Sequence, residues 1–182
     1  FQEVDQVATL GRLAKWAAQP MSAEEIPGIM AEAVRQALGG RPGPVLLALP
    51  EDLLDELAPD VDGAPSPRAG IARATEDEIR SVLHLLAGAE RPVILAGAGV
   101  LRARTSTELL KFAELLHVPV IASWRRADVI PNDHPLYLGM AGLGAPAVVR
   151  ERLAAADAIL VLGSRLNEAT SYDYTIPAAD QR

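Results

Sequence analysis

Apolar residues recur along the chain in two patterns, and each pattern predicts one kind of element. The first is helical spacing. SAEEIPGIMAEAVRQALGG (22–40) puts Ile26, Ile29, Met30, Ala33 and Ala37 on one face and stops at Gly39 and Gly40. TEDEIRSVLHLLAGA (75–89) puts Ile79, Val82, Leu83 and Leu86 at i, i+3, i+4 and i+7. TSTELLKFAELLH (105–117) repeats this with Leu109, Phe112, Ala113 and Leu116, and APAVVRERLAAA (145–156) mixes Val148, Val149 and Leu153 with Arg152. Residues so spaced share one side of a helix, which is therefore predicted in each segment. Three of the four open on a hydroxyl residue with a glutamate three positions on: Ser22 with Glu25, Thr75 with Glu78, Thr105 with Glu108. That pairing predicts capping boxes. Pro27 and Pro146 suit a first turn, where a missing N–H costs least.

The second pattern is a short unbroken apolar run. PVLLALP (44–50), PVILAG (92–97), VPVIAS (118–123) and AILVLG (158–163) do not alternate with polar residues. Strands of this kind are covered on both faces, which predicts a parallel sheet between helices. From residue 75 onward the order is helix, strand, helix, strand, loop, helix, strand. This is an α/β chain with a Rossmann-like doubly wound parallel sheet. Between the first strand and the second helix lies a stretch with Pro59, Gly63, Pro65, Pro67 and Gly70. It predicts a linker and a boundary near residue 65. Residues 1–62, with one helix and one strand, are too few elements to enclose a core. They are expected to be the tail of another α/β domain. Residues 66–182 are expected to form the Rossmann-like domain, cut short at its C-terminus.

The 182 residues are 49% hydrophobic and 23% charged, ordinary for a globular protein. A net charge of −7 argues against a nucleic-acid partner, which would need a basic patch. The absence of cysteine excludes disulfides, thiolate metal sites and a cysteine nucleophile. No apolar run reaches membrane-spanning length and no signal peptide is visible, so a cytoplasmic protein without a membrane partner is expected.

Gly97-Ala98-Gly99 ends the second strand, the right context for a nucleotide-binding turn. The dinucleotide fingerprint needs a third glycine at position 102, which is Arg, and an acidic residue ending the next strand. That position carries Ser123, Trp124, Arg125 and Arg126 instead. With the next helix cap at Thr105, the turn reads as long. A structural turn and a site for another nucleotide both remain open, and an NAD- or FAD-binding oxidoreductase domain is the alternative reading. Arg125 and Arg126 are either phosphate ligands at a strand end or a solvated pair. Gly163-Ser164-Arg165 ends the last strand similarly, so glycine, serine and arginine collect at one edge. His84, His117 and His134 lack metal-ligand spacing, and Asp60, Asp62 and Gly63 lack the remaining ligands of a calcium loop. No Walker loop or nucleophile elbow occurs.

FQEVDQV, LAKW, GRPGPVLLALPEDLL, RPVILAGAGV, HVPVIASW, NDHPLYLGMAGLGAP and ADAILVLGSRLNE follow one another in the order of a known family. The chain resembles thiamine diphosphate-dependent enzymes of the acetolactate synthase-like group over nearly its whole length. The resemblance implies the end of a pyrimidine-binding domain followed by most of a six-stranded central domain. It implies carboligase or decarboxylase chemistry on a 2-oxo acid substrate. In that family Phe1 and Gln2 fall at the active site, and Lys15 falls near the substrate channel. Arg41 matches a residue touching FAD in flavin-containing members. Gly97, Gly99, Ser123, Gly142, Gly163 and Arg165 match the flavin's cradle in the central domain. Glu168-Ala169 and Leu143-Gly144 depart from the flavin type, so the crevice holds FAD, ADP or nothing. The glutamate that activates thiamine diphosphate and the motif that holds Mg2+ are expected outside this chain. The chain alone is therefore expected to be inactive, and the intact enzyme to be a homodimer or homotetramer.

Overall fold

The computed structural model describes residues 4–57 and 73–181. The linker around residue 65, with Asp60, Asp62 and Gly63, lies outside the described residues, as do Phe1 and Gln2. The chain divides into two compact units, Phe1–Arg73 and Ala74–Arg182.

In the first unit, α1 (Gln6–Leu10) starts at Asp5, whose carboxylate accepts the Ala8 N–H at 2.7 Å. Strand β1 (Trp16–Ala18) pairs in parallel with β2 (Val45–Leu47), with Trp16 opposite Val45. Helix α2 (Ile26–Leu38) connects them, and α3 (Glu51–Leu54) follows β2. The predicted Ser22–Glu25 box does not form. A 3-10 turn, Ala23–Glu25, precedes α2, and the Ser22 carbonyl takes the Glu25 N–H that the hydroxyl would have capped. The Glu25 carboxylate accepts from the Met21 N–H instead, at 2.8 Å. Buried hydrophobics here are the small Ala23 and Ala33, with Leu53.

The second unit is built on a parallel sheet of order β5-β4-β3-β6. Its strands are β3 (Pro92–Ala96), β4 (Val120–Ala122), β5 (Tyr137–Met140) and β6 (Ala158–Leu162). Alternate side chains of β3 enter two cores. Ile94 and Ala96 pack with Leu109 and Ala113 of α6 (Ser106–Leu116). Val93 and Leu95 pack with Val149 and Leu153 of α7 (Ala147–Ala155). Helices thus cover both faces, the doubly wound arrangement, and the unbroken apolar runs of β3 and β4 follow from it. β5 had no sequence signature. Its four residues include Gly139 at φ +119, each is half-buried, and its pairing with β4 shifts register between Val120 and Ile121.

Helix α4 (Glu76–Ala87) forms its capping box in full, Thr75 and Glu78 each bonding the other's main chain. Its predicted stripe is not enclosed. Leu86 is buried, whereas Ile79, Val82 and Leu83 are 49%, 39% and 40% exposed. The helix lies against β6, an edge strand among the described residues, where Val82, Leu85 and Leu86 line a small cavity with Ala158, Ile159 and Leu160. The long turn expected after Gly97 is instead a helix, α5 (Ala98–Ala103), with Gly97 as its N-cap. Because α5 sits there, the N–H and the hydroxyl of Thr105 both turn back to the Val100 carbonyl, and no Thr105–Glu108 box forms. Pro146 falls one position outside α7, as its N-cap.

Candidate functional site: the carboxyl ends of the parallel strands

Parallel register decides which residues meet. Ala96 lies opposite Ala122 and Leu162, and Ala122 lies opposite Met140. Gly97, Ser123, Ala141 and Gly163, one residue further along, therefore form a row at the carboxyl edge, where open α/β sheets take ligands. Gly99, Gly142 and Arg165 lie within two residues of that row. Six of the ten sequence-predicted site residues are thus gathered at one edge.

The contacts within this row are close. The Gly99 N–H donates to the Gly163 carbonyl at 2.8 Å, and the Gly97 N–H donates to the Leu162 carbonyl at 2.9 Å. Gly163 reaches this position at φ +60, in the left-handed region that favours glycine. The hydroxyls of Ser123 and Ser164 share a short hydrogen bond, and Ser123 is only 5% exposed. At the β5 end, Gly142 stands at φ +112 with the Trp124 indole over it, where a Cβ would come within 2.8 Å of the ring. The Gly142 N–H points to the Tyr172 hydroxyl at 3.4 Å.

The charged groups form the rim. Arg125, at φ +62, lays its guanidinium over the neighbouring Trp124 ring at 4.3 Å, a cation–π contact. Its own N–H meets the Met140 sulfur at 3.0 Å. Arg126 donates its N–H to the Ser123 carbonyl at 2.9 Å. Arg165 is exposed and makes no salt bridge among the described residues. Beside Gly99 and Gly163 opens a cleft of about 440 Å³ with Val100, Phe112 and Leu162 in its wall; its charged lining residue is Glu108.

The remaining predicted residues belong to the first unit. The Lys15 ammonium donates to the carbonyls of Gln36 and Gly39 at the end of α2. A cation suits that position, because the helix end carries partial negative charge. Lys15 therefore does not project as a free cation; it anchors the turn that leads to Arg41, which is exposed. Sequence reasoning missed the contacts of Trp124, Ser164 and Tyr172. Each depends on a partner on another strand or loop, and nothing in the local sequence announces that partner.

Shifted pKa values fall on structural groups. Asp157 is held below the usual aspartate range by the Glu90 N–H and, next, the Arg91 N–H that it accepts. Glu78 is lowered by the Thr75 main chain and hydroxyl. The Tyr137 phenol is pushed up by burial and by nearby Asp128. Among the described residues, no three or more His, Cys, Asp or Glu side chains come together to hold a metal ion. No described helix is long and apolar enough to cross a membrane.

A doubly wound parallel sheet with small residues at the reversal of strand order defines a Rossmann-like domain. The chain belongs, more narrowly, to the thiamine pyrophosphate enzyme central-domain family, whose model matches residues 79–182. It is 35% identical over 180 residues to a probable acetolactate synthase large subunit of Methanococcus aeolicus, covering 95% of this chain and 30% of the relative. It is 34% identical to the corresponding protein of Methanocaldococcus jannaschii, covering 98% and 32%. With a glyoxylate carboligase of Escherichia coli O157:H7 it shares 36% identity over 167 residues, covering 91% and 28%. The chain thus spans about three tenths of the length of these relatives.

Proposed function

We propose that the intact protein is a thiamine diphosphate-dependent carboligase or decarboxylase acting on 2-oxo acids. The observation that carries this reading is similarity along almost the whole chain to acetolactate synthase large subunits and to a glyoxylate carboligase. Thiamine diphosphate, when bound, supplies an electron sink that lets a 2-oxo acid lose carbon dioxide and join a second carbonyl compound. The ligands of the Mg2+ that would accompany it are assigned, from the family resemblance, to regions of the intact protein outside these 182 residues.

Residues 1–62 then close the pyrimidine-binding domain, and residues 66–182 supply the central domain. Gln2 hydrogen-bonds the reacting carbonyl oxygen and Phe1 keeps water from it. Lys15 acts by holding the end of α2, and through it the turn bearing Arg41. The intact protein is a cytoplasmic homodimer or homotetramer, and its mass in solution checks the oligomeric state.

The test is carbon dioxide release from pyruvate and glyoxylate by the intact protein after removal of cofactor. The expected result is turnover only when thiamine diphosphate and Mg2+ are both restored, with a product containing a new carbon–carbon bond. The 182-residue chain alone is expected to show none. Turnover without thiamine diphosphate, or NAD reduction in place of carbon dioxide release, would contradict the proposal.

A further inference from the structure

Strand order in the second unit reverses between β3 and β6, the point at which doubly wound sheets open a ligand crevice. A dinucleotide uses such a point through two features. One is a glycine whose missing side chain lets the diphosphate approach the backbone. The other is a set of free N–H donors aimed at it.

The first feature is not available here, and the second is largely used up. A Cβ on Gly97 would come within 2.6 Å of the Ser164 Cα, and one on Gly99 within 2.5 Å of the Gly163 Cα. A Cβ on Gly163 would come within 2.6 Å of the Gly99 Cα. The room left by each missing side chain is filled by the backbone of the opposite turn. Three donors of the turn are engaged as well: Gly99 N–H with the Gly163 carbonyl, Gly97 N–H with the Leu162 carbonyl, and Val100 N–H with the Gly97 carbonyl. The Ser123–Ser164 hydroxyl pair ties in the end of β4. The adjoining cleft is lined by Glu108 and by no lysine or arginine among the described residues, so its wall offers a phosphate no opposite charge.

We infer that Gly97, Gly99 and Gly163, with the Ser123–Ser164 pair, form a clasp joining the ends of β3, β4 and β6, and that no nucleotide diphosphate rests on this turn. Residues that by position match a flavin cradle serve contact between two backbone turns. The domain's role at this edge is to brace, and the inference stands whether or not the carboligase reading does.

Amide hydrogen exchange on the full chain, followed by NMR, tests it without any substitution. The clasp predicts a Gly99 amide protected in the absence of ligand and unchanged by millimolar ADP or FAD. A Gly99 amide that exchanges freely alone, or gains protection when ADP is added, overturns it. Calorimetry gives a second reading. Either ADP shows no saturable heat, or its binding is the same in Ser164→Ala, and both outcomes support the clasp. Loss of ADP binding in a Ser164→Ala variant that melts at the original temperature overturns it. Gly99→Ala is expected to lower the melting temperature whether or not nucleotide is present, because the new methyl meets backbone that cannot yield.

Discussion

The two parallel sheets are built from similar residues and reach different burial. Val45, Leu46 and Leu47 of β2 are as apolar as Val120, Ile121 and Ala122 of β4, yet the first three are half-buried and the second three are fully buried. The difference lies in the neighbours. β4 has a strand on each side and a core on each face, whereas the first unit has two strands in its sheet among the described residues. Burial is thus a property of the assembled layers, and an apolar run only makes it possible.

Substitutions test this contrast, and the chain's two tryptophans report on the two units separately: Trp16 lies in β1 and Trp124 follows β4. The largest effect is expected in the inner sheet. Ile94 is fully buried, so Ile94→Ala should cost about 2–5 kcal/mol in denaturant unfolding followed at Trp124. A loss no larger than that of an exposed residue would erase the contrast. Thr75→Ala removes the cap of α4 and should cost about 1 kcal/mol in the same unit. Leu46→Ala in β2, followed at Trp16, should cost less than about 1 kcal/mol, because a half-buried leucine has gained only part of its transfer energy.

The smallest expected effect is a pH dependence. Asp157 is lowered below its usual value of 3.8 chiefly by the Glu90 N–H. The folded chain therefore binds this proton less readily than the unfolded one. Its contribution is complete above the usual aspartate range and is lost as pH falls through the depressed folded value. Asp157→Asn should flatten the acid side of the stability profile, and an unchanged acid slope would remove Asp157 from the account.

The same distinction between local and assembled structure explains what the amino-acid order could reveal. The Thr75–Glu78 box was legible because both of its bonds lie within one turn. The Thr105–Glu108 pair has the same letters and forms no box, because α5 brings the Val100 carbonyl to Thr105. β3, β4 and β6 were legible as unbroken apolar runs. β5 was not, because YLGM carries a glycine and is held by its pairing with β4. At the strand ends, the glycines and serines could be located in advance, and parallel register gathers them in one row. Their partners could not, since the opposing backbone that Gly97, Gly99 and Gly163 admit comes from a turn some 65 residues away.

The row at the strand ends is joined to itself. A crystal structure of the chain grown with millimolar ADP would show this. The Gly99 N–H is expected still on the Gly163 carbonyl near 2.8 Å, with no diphosphate between the turns. A diphosphate oxygen accepting the Gly99 N–H, with the turns of β3 and β6 drawn apart, would contradict it.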